Sequence, residues 1–199
     1  KRQITYQEQK TYFDVLRLTV DDKYSWDFAM LGVGLRYING VGKPDMLHYV
    51  ESFGMEGHYD FASNRGYIWS RTFPLLKRAL LLGVGQDNFA YAFPNDDYVG
   101  KVNCGFNEQI ITKPHNMYLQ IWVQDGLPAL LAFLALYLLL FGRTIRKCFK
   151  KGKWNHSQKI SLAFLCGVSG YFVAGLANDS SICVAPVFWI LFGVAFAVL

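Results

Sequence analysis

No acidic residue interrupts the seventeen positions from Arg143 to Lys159, and no charge of either sign falls within residues 127–142, 160–177 or 182–199. Metal-binding patterns are missing as well. There is no HExxH, no His/carboxylate cluster and no paired-cysteine spacing, so neither a metal nor a cofactor is expected. The four cysteines do not make a disulfide framework, because Cys148, Cys166 and Cys183 lie in or beside apolar runs and Cys104 stands apart. Internal repeats and low-complexity stretches are absent. So are an initiator Met and a signal peptide, and the last residue lies inside an apolar run, which reads as the C-terminal portion of a longer polytopic protein.

What is present is charge of one sign in one place. Residues 143–159 carry seven Lys/Arg, so a formal net charge of +5 leaves the rest of the chain at −2. The basic pI of about 9.0 is therefore local and gives no argument for nucleic-acid binding. Lys/Arg clustered beside apolar segments reads as a cytoplasmic loop under the positive-inside rule. The flanking runs of sixteen, eighteen and eighteen residues approach the roughly 20 that a 30 Å hydrocarbon core requires. The first reaches that length if its helix begins near Tyr118 or Leu119. Three transmembrane helices are thus expected, at about 119–142, 160–177 and 182–199. A buried helical hairpin of a soluble α protein is the competing reading.

With 143–159 in the cytoplasm, everything before Leu127 is extracytoplasmic, as is the turn Asn178-Asp179-Ser180-Ser181, on the face of His115. Thirteen Lys/Arg against fourteen Asp/Glu make residues 1–126 a balanced external region, expected to fold as an α+β loop domain. The fold class is therefore mainly α, a polytopic membrane-protein fragment. It divides into a strand-rich segment 1–60, a catalytic loop 61–126 and a membrane part 127–199. Within 12–57, residues 15–20 and 31–38 read as strands, Asp21-Asp22 as a turn and Asn39-Gly40 as a hairpin dipeptide. Residues 63–82 read as a helix capped by Ser63 or Asn64, kinked by Pro74 and stopped by Gly83.

Few residues could carry chemistry. Arg65 and Trp69 share a face in the first turns of that helix, where a guanidinium beside free backbone amides suits phosphate oxygens. Arg71 lies roughly 240° further round and joins them only if Pro74 distorts the helix. Gly83-Val84-Gly85 reads as a helix C-cap and tight turn more than as a phosphate loop. Lys101 and Lys113 flank a stretch with Asn103, Gly105 and Asn107, and either could approach an anion. His115 sits where a water-exposed loop becomes a membrane helix, and near neutral pH it can take a proton from a hydroxyl. Asn116 can cap the following helix whatever His115 does. His48, His58 and His156 have no comparable setting.

The ordered set Ser63-Asn64-Arg65-Gly66-Tyr67-Ile68-Trp69-Ser70-Arg71, Leu81-Leu82-Gly83-Val84-Gly85 and Lys113-Pro114-His115-Asn116-Met117-Tyr118-Leu119-Gln120, followed by Asp125-Gly126 and a membrane helix, resembles the conserved end of the O-antigen ligase/polymerase family. These are polytopic membrane glycosyltransferases acting on polyprenyl-diphosphate-linked glycans. Where the family usually has a Gly-rich or Ser-Gly approach to the Arg, this chain has Ser63-Asn64. The resemblance implies that Arg65 contacts the diphosphate of an undecaprenyl-diphosphate-linked donor and that His115 acts on, or organises, an acceptor hydroxyl. It also implies an inverting, metal-independent transfer to a glycan or lipid acceptor outside the bacterial cytoplasmic membrane. Trp69, Arg71, Lys101, Lys113 and Asn116 are the further substrate-binding candidates. A transporter or flippase for the same lipid would carry ionisable residues within its spans, and the three runs hold none. A membrane sensor would carry a cytoplasmic signalling module, which residues 143–159 do not supply.

Overall fold

The computed structural model describes residues 2–6, 9–20, 22, 24–106, 109–149 and 154–199. Asp21, Asn107 and the basic residues Lys150, Lys151 and Lys153 lie outside the described residues. The chain forms two compact units, one of residues 1–71 with 94–111 and the other of 72–93 with 112–199.

The first unit opens with an antiparallel hairpin of β1 (Arg2–Tyr6) and β2 (Gln9–Phe13). A four-stranded antiparallel sheet follows in the order β3 (Val15–Val20), β4 (Tyr24–Leu31), β5 (Gly34–Ile38), β6 (Pro44–Asp45). The expected strand over 31–38 is thus two pieces, because Leu31 ends β4 and the turn at Gly32-Val33 separates it from β5. Asn39-Gly40 makes the β5–β6 hairpin, with Asn39 Oδ1 accepting from the backbone amides of Val41 and Lys43 at 3.2 and 2.9 Å. Alternation buries Ala29 and Ile38 with Val15 and Leu31 beside them. Helix α1 (Phe61–Arg78) begins in this unit, and α3 (Tyr98–Asn103) packs within it.

The expected helix over 63–82 differs at both ends. Ala62, Ser63 and Asn64 have φ of 50°, 61° and 67°, so right-handed helix starts at Arg65 and neither Ser63 nor Asn64 acts as an N-cap there. Asn64 Nδ2 instead donates to the Cys104 carbonyl at 2.8 Å. The helix stops at Arg78, five residues before Gly83, and Pro74 lies within its regular part.

The second unit holds α2 (Phe89–Ala92), α4 (Met117–Asp125), α5 (Leu127–Cys148), α6 (His156–Ala174) and α7 (Ala185–Ala197). The expected continuous helix over 119–142 is broken at Gly126, whose φ of 92° ends α4 and sets α5 on a new axis. Among the described residues, α5 is the one helix long and apolar enough to cross a membrane, and α7 is a shorter apolar helix. The three expected spans are therefore met by one on length and composition. Asn155 starts α6 with a capping box, its side chain on the Gln158 amide and Gln158 on the Asn155 amide. The core joins α4, α5, α6 and α7 through stacked aromatics: Phe133 lies parallel to Phe172 at 4.7 Å, and Tyr171 to Phe188 at 4.0 Å.

Candidate functional site

In the second unit the segment after Pro114 is pinned to the far end of α6. Asn116 caps α4, accepting from the amides of Tyr118 and Leu119 at 3.0 Å each, while its Nδ2 donates to the Leu176 carbonyl at 2.9 Å. The Met117 amide donates to the Gly175 carbonyl at 2.8 Å, and Tyr118 Oη donates to the Phe172 carbonyl at 2.6 Å. Buried Gln120 accepts from the Ser180 amide at 2.8 Å. The crossing is close at Gly175, where a Cβ would lie 2.6 Å from the Met117 methyl and displace that side chain.

These ties bring His115 Nδ1 to 2.8 Å from Asp179 Oδ2. The imidazole is half exposed while the carboxylate is nearly buried, at 48% and 10% of side-chain surface. Among the described residues the other oxygen, Asp179 Oδ1, is buried without a hydrogen-bond partner. With Nδ1–H directed at the carboxylate, Nε2 is left as the acceptor on the open side of the ring. His115 holds a left-handed φ of 52°, an uncommon conformation for a side-chain-bearing residue. It opens into a cavity of about 440 Å³ shared with Lys113, Asn178, Asp179 and Ser181. A base with a carboxylate behind it and space in front can accept a proton from a bound hydroxyl.

In the first unit, Arg65 follows the left-handed trio, and its Nη1 donates to the Ala62 carbonyl at 3.3 Å. Its Nε is buried without a partner among the described residues. Trp69, one turn on, sits 6.0 Å from the Phe61 ring. Arg71 turns away into the protein. Its Nε donates to Asp97 Oδ2 at 3.0 Å, and its guanidinium lies 4.8 and 4.5 Å from the ring centres of Tyr59 and Tyr67. Burial works against that charge, but hydrogen bonding to Tyr59 and the Asp97 carboxylate more than offset it and hold the pKa above its ordinary value. Tyr67 Oη donates to the same carboxylate oxygen at 3.0 Å, and burial, then the Asp97 charge, pushes its pKa up. Lys101 is also buried, with Nζ donating to the Asn95 carbonyl at 3.2 Å, and burial lowers its pKa. Arg71 and Lys101 therefore face Asp97 and Asn95, whereas Lys113 lines the His115 cavity with Asn116 capping the helix beside it.

A match to the protein family described as O-antigen ligase runs over residues 24–134, more than half of the chain. The chain belongs to the O-antigen ligase family. Neither the curated proteins nor the solved structures gave a match. The family is one of membrane proteins that carry out ligase- or polymerase-type glycosyl transfer, acting at a general level on a lipid-linked glycan donor and an acceptor. In this O-antigen ligase family member the matched stretch contains Arg65, Trp69, Arg71, Lys101, Lys113, His115 and Asn116, while Asp179 lies beyond it. Sequence reasoning put Asp179 on the membrane face of His115 but did not pair the two. Their separation along the chain left no spacing to read, and only the shared face pointed to it.

The Gly83-Val84-Gly85 element turns out to be a backbone seam. The amides of Val84 and Gly85 donate to the carbonyls of Val123 and Gln124 at 2.8 and 3.0 Å. A Cβ on Gly83 would land on the Gln124 carbonyl and the Asp125 amide, and one on Gly126 would meet the Leu81 carbonyl. These glycines allow two backbones to lie against each other, which is neither the expected helix C-cap nor a phosphate loop.

Proposed function

We propose that this chain transfers a glycan from an undecaprenyl-diphosphate-linked donor to an acceptor hydroxyl outside the bacterial cytoplasmic membrane, as a cell-surface polysaccharide polymerase or an O-antigen-type ligase. The observation that carries this reading is the 2.8 Å contact between His115 and Asp179. His115 Nε2 takes the hydroxyl proton as the acceptor oxygen bonds to the anomeric carbon. The bond from that carbon to the diphosphate breaks, and the lipid diphosphate leaves. Attack from the face opposite the leaving group inverts the anomeric centre, and the reading assigns no metal to the step. Asp179 keeps the imidazole in the reactive tautomer and balances its charge once protonated. Arg65 is assigned to the donor diphosphate, because a guanidinium offers paired planar donors. Lys113, Asn116 and Trp69 are assigned to the substrates. Arg71 and Lys101 are assigned to holding the fold around Asp97, a narrower role than their charge suggests.

The positive-inside argument supports an external site. Arg146 and Lys147 close the last turn of α5, at the end opposite Gly126. The reading takes α6 and α7 as further spans completed by other segments of the membrane protein.

The test is transfer activity in membranes, normalised to inserted protein. His115→Ala should lose about 10²- to 10⁴-fold, the range of a positioned general base, while the donor still binds. Asp179→Asn should fall by at least about tenfold, as expected for a residue that orients a catalytic imidazole. A His115→Ala protein making near-normal product would remove the assignment, since Asn116 would still cap α4.

A further inference from the structure

A second chamber adjoins the His115 cavity within the same unit, with Lys113, Met117, Tyr171 and Ser181 lining both. Its volume is about 490 Å³, within the range of small-molecule sites. Its lining includes polar Gln86 and Asp125 and aromatic Phe133, Phe188 and Trp189.

Gln86 Nε2 donates to Asp125 Oδ1 at 2.6 Å. That bond leaves Asp125 Oδ2 and Gln86 Oε1 without a protein partner among the described residues. The two backbones that carry this pair are tied together: the Gly83–Gly85 seam holds the residue before Gln86 against the end of α4, where Asp125 sits. In the same lining, Trp189 makes T-shaped contacts with Phe133 and Phe188 at centroid distances of 5.8 and 5.3 Å, with about half of the residue's surface exposed. A carboxylate–amide pair and an aromatic ring lining one chamber match a pyranose, which has hydroxyls round its edge and a C–H face. The charge balance selects among sugars. Asp87 and Asp125 against Lys113 leave the lining negative, which disfavours a uronic or phosphorylated ring.

We propose that this chamber is a subsite for a neutral pyranose of the glycan, bracketed by Gln86 and Asp125 and stacked on Trp189. It thereby sets which sugar is presented to His115. The proposal rests on the transfer reading above but makes its own prediction about binding.

The test uses the intact membrane protein in nanodiscs, with the methyl glycosides of glucose, galactose and N-acetylglucosamine as probes followed by saturation-transfer NMR. At least one probe should bind the parent. Gln86→Glu sets two carboxylates face to face and should weaken it about tenfold to hundredfold. Adding Asp125→Asn restores a carboxylate–amide bracket with the partners exchanged, and binding should return, which separates recognition from misfolding. His115→Ala should bind the probe like the parent even if it transfers nothing, so loss of the catalytic reading would not be mistaken for loss of the subsite. In a transfer assay Gln86→Glu should raise KM for one glycan substrate. A rise for the acceptor assigns the ring to it, and a rise for the donor assigns it there. Absence of binding by all three glycosides, a Gln86→Glu protein that binds them like the parent, failed rescue in the double variant, or an unchanged KM for both substrates would each overturn the proposal.

Discussion

Tyr67 keeps its proton in the fold where an ordinary tyrosine would lose it, because it is buried against the Asp97 carboxylate. In the unfolded chain it ionises near pH 10. The native state therefore binds more protons above that pH, and this contribution to stability, complete below pH 10, drains away as pH rises. Tyr98 acts in the same direction, its pKa pushed to about 12 by burial and then by the hydrogen bond it donates to Asp45. Tyr67→Phe should cost about 1.5–3 kcal/mol at pH 8 for the lost hydrogen bond to a carboxylate yet decline less steeply from pH 10 to 11. Denaturant midpoints at pH 8, 10 and 11 check this, and parallel declines in variant and parent would count against it. The legible side chains were those whose work is local. Asn116 caps the helix it precedes. Arg71 could not be read this way, because burial against Asp97 depends on α3 packing back onto α1, which no helical spacing encodes.

The seam between residues 83–85 and the end of α4 makes one glycine do two jobs. Gly126 ends a helix at a φ of 92° and gives way to the Leu81 carbonyl, while the Leu127 amide donates to the Leu80 carbonyl at 3.3 Å. Gly126→Ala should destabilise the protein by about 1–3 kcal/mol, since the new methyl meets both an unfavourable φ and a backbone oxygen. Limited proteolysis in membranes should show earlier cleavage within residues 79–88, and a cleavage pattern like the parent's would contradict the seam. At this scale the sequence disclosed β3 with its own bounds and the Asn39-Gly40 hairpin, because alternation and turn chemistry act over a few residues. The break at Gly126 carried its own signal in Gln124-Asp125-Gly126 and Pro128, but the sixteen apolar residues of 127–142 fall short of spanning length, and joining them to the residues from Tyr118 or Leu119 made up the difference.

For the whole molecule the decisive quantity is where charge sits along the chain. If the basic end of α5 faces the cytoplasm, Tyr91 and Trp154 lie on opposite sides of the bilayer. In a cysteine-free background, Tyr91→Cys should react with a membrane-impermeant maleimide in intact cells, whereas Trp154→Cys should react only after permeabilisation. Labelling of Trp154→Cys but not Tyr91→Cys in intact cells would invert the orientation, and labelling of both from one side would mean that α5 does not separate them. Composition states this expectation, since excluding charge from three runs and collecting it in one segment is a property of the chain, and among the described residues one helix, α5, meets the length and apolarity of a span. The helix lengths were less accessible. The 13 residues of α7 rise only about 20 Å at 1.5 Å each, short of a hydrocarbon core of about 30 Å.

Ala62, Ser63 and Asn64 lead into Arg65 with a handedness that suits the mirror images of the residues found there. Each L side chain held so costs roughly 1–2 kcal/mol, and an achiral residue pays none of it. Ser63→Gly should therefore raise the unfolding temperature, and chemical replacement of residue 63 by D-alanine should raise it further, since that enantiomer prefers the geometry this stretch imposes. A drop in unfolding temperature for both would mean that the Ser63 side chain contributes more than its chirality costs. Ala-Ser-Asn thus meets a stereochemical demand that glycine would meet freely, and it carries its tension immediately ahead of the arginine.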